Sequence, residues 1–158
     1  MDHIADAKRL VRDYNQSFDE ALRDGVMPSE KSRLSADFHW RGMHPFYEKT
    51  GIEAVWSTFW GPLTQSIRRL QRREDVFFAG ENDVDQGASV WTCSMGHFAG
   101  LFDTDWLNIP KTGRLAHLRY AEFMRVEDGK IAESALFIDL IGLMHQSGVY
   151  PLPPMTGS

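Results

Sequence analysis

Apolar residues recur at helical spacing from the start of the chain. Ile4, Ala7, Leu10, Val11, Tyr14, Phe18 and Ala21 share one side of a helical repeat, so residues 3–24 are predicted to form one amphipathic helix ended by Gly25. Pro28 suits a first helical turn and predicts a short second helix over 28–35. Residues 37–41 read as a short strand before the turn-rich stretch 42–45. Thr50-Gly51-Ile52-Glu53 fits a capping box. The stripe behind it (Ile52, Val55, Trp56, Phe59, Leu63, Ile67, Leu70) predicts a long helix, kinked or split at Gly61-Pro62.

After Arg73 the period changes. Residues 76–79 read as a strand, 80–87 as a polar turn, and 88–102 as a long strand with Trp91, Cys93, Met95 and His97 on one face. A loop follows over 103–112. Residues 114–127 and 130–141 then form two strands hinged at Asp128-Gly129, a dipeptide that accepts the positive φ angles of a tight hairpin. Pro151-Leu152-Pro153-Pro154 can continue neither element, so an extended tail is expected from about residue 149. Helices first and long antiparallel strands afterwards predict an α+β fold. Its form is a cone-shaped curved antiparallel sheet wrapped over the N-terminal helices, in a single domain spanning 1–158.

Composition narrows the function classes. The 158 residues carry 22 acidic and 17 basic side chains, a net charge of −5. That argues against a nucleic-acid partner or a general attraction to anionic membranes. Arg68, Arg69, Arg72 and Arg73 form one small basic cluster, read as cations at a helix end. A single cysteine, Cys93, excludes an internal disulfide and a cysteine-rich metal site. No apolar run approaches the roughly 18 residues of a membrane span, and the polar start is unlike a signal peptide. The expected setting is therefore cytoplasmic.

Candidate chemistry centres on the last hairpin. With a two-residue turn Glu127 pairs with Lys130, Tyr120 with Phe137, and Glu122 with Ala135. Alternation then puts Tyr120, Glu122, Phe137 and Asp139 on one face, with His117, Arg119, Phe123 and Ser134 on the other. Carboxylates kept from water among aromatic rings can act as bases, because desolvation raises their pKa. Asp139, in the apolar run 135–141, is the sharper candidate. The alternative for it is a structural acceptor, paired with Arg119 or Arg125 or capping the turn at Gly142. Glu122 is the second carboxylate, and Tyr120 or His97 the donor to a developing oxyanion. Trp60, Trp91 and Phe137 are expected to wall a cavity, with His44 at its mouth. The histidines show no metal-ligand spacing, and no phosphate-binding loop or nucleophile elbow occurs. No metal and no cofactor are expected.

Several short stretches carry a family likeness: Gly96-His97-Phe98-Ala99-Gly100, then Ile109 to Arg114, Glu122 to Glu133, and Asp139-Leu140 with Leu143 to Gly148. Through them the chain resembles the SnoaL-like polyketide cyclases of the nuclear-transport-factor-2-like (NTF2-like) superfamily. The resemblance implies the cone fold, a pocket for a small-molecule substrate or ligand, and often a homodimer formed sheet to sheet. It also implies intramolecular aldol closure of a polyketide ring without metal or cofactor. Asp139 matches the aspartate that follows the glycine-lysine-isoleucine hairpin of such sequences. A non-catalytic binding or dimerisation module is the competing reading, since one fold hosts both.

Overall fold

The structure is a computed structural model that describes residues 2–154, so the end of the tail lies outside the described residues. Helix α1 spans His3–Asp24 and buries Ala7, Val11, Tyr14 and Phe18 of the stripe read from the sequence, together with Leu22 and Asn15. Asp2 caps it by accepting from the N–H groups of Ile4 and Ala5, and Gly25 closes it in the left-handed conformation. No helix follows over 28–35. The chain turns and enters strand β1 (Leu34–Arg41), then the short β2 (Glu48–Thr50).

The expected capping box does not form. Thr50 ends β2, and Gly51 holds the N-cap position of α2 (Ile52–Val55) with no side-chain cap bond. The long helix is broken into α2, a π-helical turn over Trp56–Trp60, and α3 (Gly61–Ser66). It ends earlier than its apolar stripe suggests, because Ile67 already begins strand β3 (Ile67–Glu81). Arg69 sits there at φ 55° in a bulge, so both Ile67 and Leu70 turn inward. A spacing of three on a bulged strand imitates a helix. The basic cluster accordingly lies on a strand, not at a helix end.

Strands β4 (Val90–Phe102), β5 (Arg114–Glu127) and β6 (Lys130–Ile138) complete a six-stranded sheet of order β2-β1-β6-β5-β4-β3. All pairs are antiparallel except β1 with β6, which run parallel. Asp128 and Gly129 turn the β5–β6 hairpin at φ 52° and 72°, as their dipeptide predicts. A last helix, α4 (Leu140–Gln146), precedes a tail with no regular structure over 149–154.

The sheet curves without closing. Its concave face and the helices enclose an aromatic core in which Trp40, Phe59, Trp60, Phe98 and Phe102 are almost wholly buried. Among the described residues no helix is long and apolar enough to cross a membrane.

Candidate functional site

The hairpin register decides which side chains meet. Glu127 pairs with Lys130 as expected, but the ladder shifts between Arg125 and Val126, so Arg125 pairs with Glu133. Ala132 is the extra residue of a β-bulge. Beyond it Glu122 faces Leu136 and Tyr120 faces Ile138. One unpaired residue reverses the rest of β6. Ser134 joins Glu122 and Tyr120 on the concave face, whereas Phe137 turns out to solvent, 57% exposed. Asp139 leaves the interior with it.

Inside, β3, β5, β6 and α1 build a polar cluster within the aromatic core. Glu122 is 5% exposed and the Arg72 side chain 4%. Arg72 is inward because the bulge at Arg69 has reset the alternation of β3. Its Nε donates to Asp19 Oδ1 of α1 at 2.9 Å, and its Nη1 to Glu122 Oε1 at 3.5 Å. Ser134 Oγ donates to the other Glu122 oxygen at 2.9 Å. The guanidinium also lies over the rings of Phe98 and Tyr120, 5.2 and 5.3 Å from their centroids. A second chain runs outward, with Ser94 Oγ donating to Glu74 at 2.6 Å and lying 2.8 Å from the Tyr120 hydroxyl. Ser94 has one proton and gives it to Glu74, so Tyr120 is the donor to Ser94.

Burial dominates the electrostatics. It pushes the Glu122 pKa above the ordinary glutamate value, outweighing the opposing pull of Arg72 and Ser134. Burial likewise raises Asp19 against the pull of Arg72, and raises the Tyr14 phenol, which Glu122 pushes up further. Arg72 stays charged: burial works against it, but Asp19 and Glu122 carry its pKa upward. The result is a carboxyl that holds its proton more tightly than an exposed one, the property asked of an acid/base group near neutral pH.

A cavity of about 10 Å³ borders this carboxyl, enclosed by Tyr14, Phe18, Phe38, Trp40, Trp60 and Ser134 among others. That is room for about one water molecule.

Of the residues singled out from the sequence, Glu122, Trp60 and Tyr120 lie in the core, and Glu122 and Trp60 border the cavity. Asp139 and His97 meet on the outer face instead. They border a polar hollow of about 480 Å³ with Asp75, His117, Arg119 and Gln146. There Asp139 accepts from the Gly142 N–H at 2.8 Å as the N-cap of α4, the structural role weighed for it. Trp91 is also on the outer face, donating to Ser89 at 2.9 Å and bordering a shallow apolar groove with Phe78, Cys93 and Phe123. His44 is exposed between β1 and β2, where its Nδ1 meets the Tyr47 hydroxyl at 2.6 Å. Sequence reasoning missed Arg72, Asp19, Tyr14 and Ser134. Tyr14 carried a signal, as a phenol inside an otherwise apolar helix stripe. Among the described residues no group of three or more His, Cys, Asp or Glu is placed to hold a metal ion.

Residues 72–147 match the family described as SnoaL-like polyketide cyclase. No curated protein matches the chain. Among solved structures, a SnoaL-like protein from Jannaschia sp. CCS1 is 19% identical over 98% of this chain and 97% of its own, with a TM-score of 0.69. TsrD from Streptomyces laurentii is 22% identical over 94% of this chain and 98% of its own, at 0.68. An NTF2-like protein from Anabaena variabilis ATCC 29413 is 19% identical over 90% and 96%, at 0.64. Likeness at these identities is likeness of fold. Residues 72–147 thus match the SnoaL-like polyketide cyclase family, and the architecture of the chain is the NTF2-like fold of these solved structures.

Proposed function

We propose that this protein is a cofactor-independent acid/base catalyst acting on a small, largely apolar carbonyl compound, with Glu122 as the working carboxyl. The observation that carries the reading is a glutamate buried on the concave sheet face, raised in pKa, and bordering a cavity ringed by Tyr14, Phe18 and Trp60. The family match favours intramolecular aldol closure among such reactions. In that step Glu122 takes a proton from a carbon beside a carbonyl. The enolate carbon bonds to a second carbonyl carbon, and the resulting alkoxide takes up a proton. Tyr14 is the phenol placed to donate to the enolate oxygen. A positioned base contributes about 10²–10⁴ in rate.

The test needs no knowledge of the natural substrate. A base beside a carbonyl carbon exchanges its α-protons, so acetophenone in D₂O, followed by proton NMR, reports the chemistry directly. Exchange above the buffer rate in the wild type, lost on Glu122→Gln, supports the reading. Equal exchange in both proteins sinks it.

The near-filled cavity favours a second reading, a non-catalytic binding or dimerisation module. It predicts exchange at the buffer rate. Under either reading we place the protein in the cytoplasm as a homodimer joined through its outer sheet face. There Phe78, Met95, Phe123 and Phe137 are exposed on neighbouring strands, and a contiguous apolar patch of this kind marks an interface. Met95→Glu should convert a dimer to a monomer in sedimentation. A wild-type monomer refutes the assignment.

A further inference from the structure

The cavity at Glu122 is nearly filled by side chains, yet one of its walls is thin. Phe38 and Ile52 border it from one side, and the same two residues border a groove of about 200 Å³ on the other. That groove runs between β1 and α2, past Leu34, Ser35 and Ala36, with Lys31 and Glu53 at its rim. Lys31 Nζ reaches Glu53 Oε1 at 2.5 Å, so an ion pair lies across the opening.

The wall is also weakly tied to the sheet. Leu34 pairs with Ile131 and His39 with Glu133, so four residues of β1, 35–38, stand opposite the single Ala132. This stretch therefore arches away from β6 with its ladder interrupted. Phe38 is held from the other side, where its carbonyl accepts from the Gly51 N–H at 2.8 Å. Ser35 keeps a buried hydroxyl with no hydrogen-bond partner among the described residues. A fully packed wall rarely leaves such a group unsatisfied.

We infer that the groove between β1 and α2 is the outer half of the ligand site, through which a one-ring carbonyl compound passes Phe38 and Ile52 to reach Glu122. The inference rests on the reading of Glu122 as the working carboxyl. Its size sets the ligand class: at about 200 Å³ the groove lies below the roughly 300 Å³ at which pockets for drug-sized ligands begin. When the arched segment yields, the buried Ser35 hydroxyl is freed to give one hydrogen bond to the ligand's polar end. The Lys31–Glu53 pair acts as a latch across the mouth, and the arched segment 35–38 is the part that yields.

Titration of ¹⁵N-labelled protein with acetophenone tests this, using the wild type, Phe38→Ala and Lys31→Met. Amide shifts at residues 35–38 and 51–53 are expected in the wild type, with binding several-fold tighter in Phe38→Ala. Lys31→Met touches only a surface pair and keeps the core intact. It should bind about two- to fivefold faster with an unchanged melting temperature. Shifts confined to other surfaces, or none at these residues in any of the three proteins, overturn the inference. Shifts in the groove together with α-proton exchange indifferent to Glu122→Gln keep the mouth and remove the catalytic reading. Glu122-dependent exchange with a silent groove does the reverse.

Discussion

Replacing Arg72 by Met leaves Glu122 buried without its counter-charge, and the structure fixes the size of the effect. Removing one partner of a buried ion pair typically costs about 3–5 kcal/mol. Glu122 has a cheaper course, because it can take up a proton. In the unfolded chain it ionises at its ordinary value of 4.5. Holding it neutral at pH 7 therefore costs two and a half pH units, about 3.4 kcal/mol, which is a ceiling on the electrostatic loss. The wild type already gives up part of this, since burial raises Glu122 even with Arg72 present. A loss of about 2–3 kcal/mol is expected at pH 7, including the stacking of the guanidinium on Phe98 and Tyr120. Asp19 adds little, because its side chain is 36% exposed and can be hydrated. At pH 4.5 the electrostatic part shrinks to at most about 0.4 kcal/mol, and about 1 kcal/mol of lost packing remains. Urea unfolding of both proteins at the two pH values measures the difference. An Arg72→Met penalty that is the same at both would show that Glu122 does not depend on Arg72 for its charge, and the buried pair would lose its meaning.

Three further outcomes follow from the same geometry. Glu122 has a folded pKa above its unfolded one, so the folded state binds the extra proton and stability falls as pH rises from about 4.5 through the folded pKa. Glu122→Gln removes that fall, and thermal melting from pH 4 to 8 should show the wild type losing ground to the variant; parallel curves contradict the shift. Asp139→Ala removes the α4 cap at a cost of about 0.5–2 kcal/mol by urea unfolding and leaves α-proton exchange unchanged. Loss of exchange as deep as in Glu122→Gln would return the acid role to the outer face. In Gly96→Ala the new Cβ would lie 2.0 Å from the Arg73 carbonyl oxygen, so the β3–β4 ladder must part, at about 2–4 kcal/mol and a Tm lowered by about 5–10 °C. A Tm within a degree of wild type would show that the strands give way freely.

Local signals carried much of the fold. The period of α1, its glycine stop and the Asp128-Gly129 turn are properties of a few adjacent residues, and all three formed where the sequence placed them. The errors share one physical origin. Bulges at Arg69 and Ala132 belong to the pairing of two strands, and neither residue is of a type that announces one. The first made Ile67 and Leu70 resemble the end of a helix and concealed the inward turn of Arg72. The second sent Phe137 and Asp139 outward and brought Ser134 to Glu122. Glu122 itself was legible because it lies on β5, whose alternation runs unbroken from Leu118 to Met124. Its partners were not, since Arg72, Asp19 and Ser134 come from three other elements that only the folded chain assembles.

The supernumerary alanine in β6 also limits how roles can be carried over from proteins of the same fold. A relative whose last strand lacks that insertion presents the adjacent positions to its interior, so two sequences matched without a gap there compare a lining side chain with a solvent-facing one. Beyond Ile131, correspondences hold only between chains that share the same offset.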